Sequence, residues 1–242
     1  MSANMLKFIA IIAMFIDHTA VVMVESGSGA YILMRFIGRL TAPIMFYFVV
    51  VGLRHTKNVT RYTLRLALFA TISYLPFIYA NTGQLPNSET FLKLNVIYTI
   101  LIGVFFLRAR SEISNPFIKT VAMALLVILS TFGDWNFIAL LMMLVFDYFY
   151  GDYKKQKFAY NVIVLTAGGV LALFLQPFST YIQHGVWNFD IYQILFMQSG
   201  MFLPILLLGK YSGRLGRGGL LAKWSFYIFY PAHLLLLGIM AQ

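Results

Sequence analysis

The chain contains no cysteine. Disulfides, thiol nucleophiles and thiolate metal sites are therefore excluded, whatever compartment the protein occupies. Charge is nearly as scarce: 11% of the 242 residues are Asp, Glu, Lys or Arg, against about 25% in a soluble domain. The four histidines, at 18, 55, 184 and 233, show no i, i+4 pair and no HExxH, so no metal is expected. Walker-type and dinucleotide glycine motifs are missing, as are internal repeats and low-complexity tracts. What is present is hydrocarbon. The composition is 60% hydrophobic and 17% aromatic, with a mean hydropathy of +0.80. This describes an integral membrane protein, read as a single domain over 1–242.

The formal charge is +10. In a soluble protein that excess would suggest nucleic acid. Here no basic patch with interleaved aromatics lies outside the apolar runs, so nucleic acid is not an expected partner. The basic residues gather instead in short loops between those runs. The first run is read as a retained span and not as a cleaved leader, because Asp17-His18 interrupts it and no small-x-small cleavage site follows.

A helix crossing a bilayer needs about 17–25 mostly apolar residues. Such segments fall near 5–24, 34–53, 62–80, 93–107, 117–132, 135–150, 158–176, 188–208 and 223–240. The fifth and sixth are short, and the GDW at 133–135 makes them a tight helical hairpin. Basic turns alternate along the chain with turns nearly free of Lys and Arg. The basic ones are 54–65, the stretch holding Arg108, Arg110 and Lys119, then 152–157 and 209–223; the others are 25–33, 81–92, 133–134 and 177–187. The positive-inside rule then predicts an all-α polytopic membrane protein of about nine transmembrane helices. Its N-terminus is cytoplasmic and its C-terminus extracytoplasmic.

Ionisable groups at bilayer depth cost at least about 2.5–3.5 kcal/mol to insert, so each needs a partner or a function. The stretch IAMFIDHTAVVM (12–23) carries Asp17 and His18, and Arg39 and His233 lie in other spans; Asp147 and Asp190 sit nearer span ends. With about 1.5 Å rise per residue, Asp17, His18, Arg39 and His233 all fall in the outer half, and Asp190 close to that level. Asp17 and Arg39 have opposite signs and are expected to pair. Adjacent helical residues point about 100° apart, so Asp17 does not orient His18, which is left for chemistry. A purely structural reading stands beside each of these: an Asp–Arg pair can simply join two spans, a lone histidine can bond helix to helix, and His233 can satisfy a kink at Pro231. At the inner end, Arg54, His55, Lys57, Arg61 and Arg65 serve topology and lipid headgroups, or cradle a phosphorylated cosubstrate. Membrane lipid is a partner in either case. Read without further information, the buried charges suit a proton-coupled transporter using Asp17, His18 and Arg39.

Four blocks, MLKFIAIIAMFIDH (5–18), RFIGRLTAPIMFYFVVVGLRHTKNVTRYTLRLALFATISYLPF (35–77), LNVIYTILIG (94–103) and WSFYIFYPAHLLLL (224–237), together resemble the TraX family. Its best-known member is linked to acetylation of conjugative F-pilin, and the family is similar to the wider group of transmembrane acyltransferases. The resemblance implies transfer of an acetyl group from cytosolic acetyl-CoA to an extracytoplasmic acceptor, a pilin amine or a glycan or amino-sugar group, in the bacterial inner membrane. It implies His18 as the essential histidine. Asp17, Arg39 and His233 stand beside it, and Arg54, His55, Lys57, Arg61, Arg65 and Asn95 form the cosubstrate-binding set. Acetyl-CoA is a cosubstrate, no metal is expected, and a homodimer is compatible with the scaffold. Arg39 would steady an oxyanion. His18 would serve either as general base or as an acyl carrier. A non-catalytic assembly role for a surface appendage is the third reading.

Overall fold

The computed structural model describes residues 1–171 and 191–241, and within them it is helical with no strand. The helices are α1 (Ala3–Met23), α2 (Gly29–Gly38), α3 (Thr41–His55), α4 (Val59–Ile72), α5 (Tyr74–Thr82), α6 (Val96–Glu112), α7 (Pro116–Ser130), α8 (Asn136–Tyr148), α9 (Tyr153–Ile163), α10 (Ile191–Ser199), α11 (Leu203–Leu208) and α12 (Gly219–Met240). A π-helical stretch, Val164–Leu171, continues α9. The expected connection 177–187, with His184, lies outside the described residues, as does Asp190.

Where its residues are described, each expected apolar segment overlaps a helical stretch. Among the described residues, four stretches are long and apolar enough to cross a membrane: Ala3–Met23, Gly29–His55, Val59–Thr82 and Ile191–Leu208. Shorter apolar helices are Pro116–Ser130, Asn136–Tyr148 and Trp224–Met240. Polar caps set the starts. Ser2, Ser28, Asn58, Asn95, Asn115 and Asp152 each accept a backbone N–H of the first turn, which satisfies donors that hydrocarbon cannot. The Lys155 N–H at the Asp152 cap holds that loop carboxyl below its usual range.

Prolines set the breaks. A proline cannot donate to the carbonyl four residues earlier. Pro43 therefore leaves Arg39 as the joint between α2 and α3, Pro76 loosens the chain at Ser73 between α4 and α5, and Pro204 follows the 3-10 turn Gly200–Phe202. Pro231 lies inside α12, which stays continuous.

The core is made by α1, α3, α6 and α8 with α12, where Leu6, Phe46, Val104, Leu140, Met142, Phe146 and Leu234 are fully buried. Large apolar side chains such as Phe117, Phe158 and Leu64 point outward, as a lipid solvent allows. Between such helices the attraction is close packing and not exclusion from water.

The connections gather in two sets. Residues 1–4 are stitched to the 210–217 loop through backbone bonds from Ala3 to Arg214 and Asn4 to Leu215 (2.9 and 3.0 Å), and through the Met1 ammonium on the Lys210 carbonyl. Arg54 and Arg110 both clasp Asp147 at 2.7 and 3.0 Å, and the Tyr153 hydroxyl donates to the Ile205 carbonyl. The other set joins Leu94 to Phe132 and Asp134 through backbone bonds of 2.8 and 2.9 Å. Basic turns thus meet basic turns, and the poorly charged turns meet one another.

Candidate functional site

A cavity of about 600 Å³ runs between α1, α3, α4, α6 and α12, within the range of small-molecule pockets. Its wall includes Asn4, Lys7, Thr56, Tyr62 and Arg65 towards the basic turns. Farther along it includes Asp17, His18, Asp134, Trp135 and Tyr230. From Lys7 to His18 is about 16 Å of helix rise, and from Gly52 to Gly38, also in the wall, about 21 Å. One space therefore joins a cationic mouth to an imidazole deep in the bundle.

The imidazole is held by a second one. His18 Nδ1 lies 2.6 Å from His233 Nε2, and His233 Nδ1 lies 2.7 Å from the Phe229 carbonyl oxygen. Ring centroids are 4.9 Å apart with planes 16° from parallel. Two rings joined tip to tip have this separation, so the contact is an in-plane hydrogen bond and not a face-to-face stack. The carbonyl can only accept, so His233 Nδ1 carries the hydrogen. With both rings neutral, His233 Nε2 accepts and His18 Nδ1 donates. His18 Nε2 is left with its lone pair available in a side chain that lines the cavity. His233 itself is 3% exposed and stands behind His18, away from the cavity wall.

Asp17 pairs with Arg35 at 2.7 Å, and not with Arg39. Both arginines are in RFIGR, but the break before Pro43 ends α2 at Gly38 and turns Arg39 aside. Its guanidinium lies 5.7 Å from the Trp135 ring centroid, and its Nε is buried with no hydrogen-bond partner among the described residues. Arg39 is also absent from the cavity wall. The Asp17 carboxyl packs directly against Gly38, where a Cβ would overlap it. Its Oδ1 is buried and unbonded.

The expected cosubstrate set divides. Arg65 lines the cavity. Arg54 does not: it is tied to Asp147 and lies 4.5 Å from the Tyr150 ring centroid. His55 is exposed and its Nδ1 is 2.8 Å from the Val51 carbonyl. Lys57 and Arg61 are exposed outside the cavity wall. Asn95 is 1% exposed and structural: its Oδ1 caps α6 by accepting from Ile97 and Tyr98, and its Nδ2 donates to the Ala70 carbonyl. Among the described residues, no three His, Asp or Glu side chains cluster as metal ligands do.

Lys7, Tyr62, Asp134, Trp135 and Tyr230 were not singled out from the sequence. Trp135 and Asn136 have φ of 67° and 35°, a left-handed turn that bulky residues rarely adopt and that recurs at functional sites. The GDWN string signals the turn, though not its direction into the cavity.

Residues 2–241 match the family described as TraX protein. The chain belongs to the TraX family. It is 34% identical to a probable fimbrial assembly protein FimC, serogroup H1, of Dichelobacter nodosus, over 98% of this chain and 94% of that one. No solved structure matches. The blocks that carry the TraX resemblance supply most of the cavity wall: 5–18 gives Lys7, Asp17 and His18, 35–77 gives Gly38, Tyr62 and Arg65, 94–103 gives Val96, and 224–237 gives Tyr230, with His233 behind His18.

Proposed function

We propose that this TraX-family protein is a transmembrane acetyltransferase. It takes an acetyl group from cytosolic acetyl-CoA and delivers it to an extracytoplasmic acceptor amine or hydroxyl. The supporting observation is a single cavity with Lys7 and Arg65 at one end and an imidazole at the other whose Nε2 has no hydrogen-bond partner among the described residues. Phosphates of the donor bind the cations, and the extended pantetheine arm spans the depth between. His18 Nε2 removes the acceptor's proton as the thioester carbonyl is attacked, then returns it to the departing thiolate. Membership of a family containing a fimbrial assembly relative makes a pilin or other surface polymer the expected acceptor.

The same reading includes nine spans in a single domain, with the N-terminus and basic turns in the cytoplasm of a bacterial inner membrane. The two sets of interlocking turns support it. The test is His18→Ala in the purified, membrane-reconstituted protein given labelled acetyl-CoA and envelope fractions. Acetyl transfer to envelope proteins or glycans is expected to vanish while folding and insertion persist. Transfer at the parent rate would remove His18 from the chemistry.

A further inference from the structure

Two tyrosines are buried among the described residues, and they differ in one respect. Tyr160, fully buried, donates its hydroxyl to the Met201 carbonyl at 2.7 Å. Tyr230 is 3% exposed; its oxygen lies near the Val96 backbone N–H, which can only donate, and among the described residues its O–H has no acceptor within hydrogen-bond geometry. A buried hydroxyl whose hydrogen finds no acceptor is costly, and each such group in a native fold calls for an explanation. Tyr230 also lines the cavity. It stands one turn before His233 on α12, with ring centroids 5.7 Å apart, and its ring centroid is 6.1 Å from that of His18. The chain thus keeps an O–H donor without an acceptor on a residue that lines the cavity and whose ring stands near the imidazole.

Acyl transfer needs a donor there. The sequence suggested Arg39 for that role, and the fold places Arg39 over Trp135 and off the cavity wall. We infer that Tyr230 is a catalytic residue whose phenol donates a hydrogen bond to the thioester carbonyl oxygen as it becomes an oxyanion. The inference rests on the acetyltransferase reading.

The step balances as follows. The acceptor's N–H or O–H loses its proton to His18 Nε2 while its heavy atom bonds to the acetyl carbonyl carbon. The carbonyl π pair moves onto oxygen, where the Tyr230 O–H stabilises it without giving up its proton. The pair then returns, the carbon–sulfur bond breaks, and the thiolate takes the proton from His18. Acetylated acceptor and free CoA thiol result. The unbonded phenol is the state of an oxyanion site before substrate arrives, when a preorganised donor waits in a water-poor pocket.

The decisive variant is Tyr230→Phe, which removes the oxygen and keeps the ring. With labelled acetyl-CoA and envelope fractions, kcat is expected to fall about 10²–10³-fold, the usual loss for one oxyanion donor. KM for acetyl-CoA should change little. Thermal unfolding of the same variant should change little, since the phenol O–H has no acceptor to lose and the Val96 N–H contact is outside hydrogen-bond geometry. A phenol with only a structural role gives the reverse: a lower unfolding midpoint and a parent kcat. If the parent transfers acetyl and Tyr230→Phe matches its kcat, the Tyr230 role is overturned while the acetyltransferase reading stands. If the parent transfers no acetyl in an assay that finds it folded, both fall.

Discussion

A histidine in hydrocarbon is uninformative until its nitrogens are accounted for. Here the accounting closes around one atom. The Phe229 carbonyl fixes His233 Nδ1 as a donor, His233 Nε2 accepts from His18 Nδ1, and His18 Nε2 remains. The chain of bonds selects the tautomer that a general base requires, with a backbone carbonyl as its anchor. It follows that His233 positions His18 and does not touch substrate. His233→Phe, which keeps a ring but no acceptor, should orphan the His18 Nδ1–H and let the ring turn. The expected loss in kcat is a large part of the about 10²–10⁴-fold that general acid–base catalysis supplies, with KM for acetyl-CoA held. His233→Gln, which restores an acceptor oxygen, should recover some of it. Equal activity in both variants and the parent would show that the pairing only joins α1 to α12.

At the scale of elements, the bundle is shaped by prolines that stop helices and glycines that let them touch. The joint at Gly200 combines the two. A Cβ there would overlap the Phe36 carbonyl of α2 and crowd the Arg39 side chain. The obstacle is backbone, so no rotamer change relieves it. Gly200→Ala should therefore push α2 from the Gly200–Phe202 turn and destabilise the fold by about 1–3 kcal/mol, as overpacking does. Because α2 carries Arg35, the partner of Asp17, activity should decline with it. A thermal unfolding midpoint equal to the parent's would mean the two segments are less closely packed than described. The positions of the helices were legible in the sequence, since an apolar run some twenty residues long has few other uses. Their mutual rotation was not. Arg35 and Arg39 are four residues apart and equally plausible partners for Asp17 until the break at Pro43 decides between them. Asn95 looked like a binding group and is a cap, because an asparagine before a helix can be either. Tyr230 is one of 15 tyrosines, and what sets it apart, a buried O–H without an acceptor in the cavity wall, shows only in the fold.

The whole molecule adds what no single helix shows, a continuous space with different chemistry at its two ends. The cationic cluster anticipated at 54–65 is largely committed elsewhere, Arg54 to Asp147 and the others to the exterior. The cavity wall instead draws on Lys7 from α1 and Arg65 from α4, two cations far apart in sequence and so invisible to loop counting. If the donor's arm threads this space, an obstruction halfway should separate the two ends without harming either. Met45 is in the wall midway between Gly38 and Gly52, about 10 Å of helix rise from each. Met45→Trp sets an indole across the passage. Transfer from acetyl-CoA is expected to fall at least about tenfold, on the scale that misplacing a substrate by an ångström costs. Hydrolysis of p-nitrophenyl acetate, which has no arm to thread past residue 45 and on this reading enters by the acceptor's route, should persist and remain sensitive to His18→Ala. The contrast between donors distinguishes a blocked route from a damaged site. Loss of both activities would indicate misfolding around Met45, to be checked by thermal unfolding. Parent-level transfer from acetyl-CoA past the indole would show that the acetyl group reaches His18 by another path.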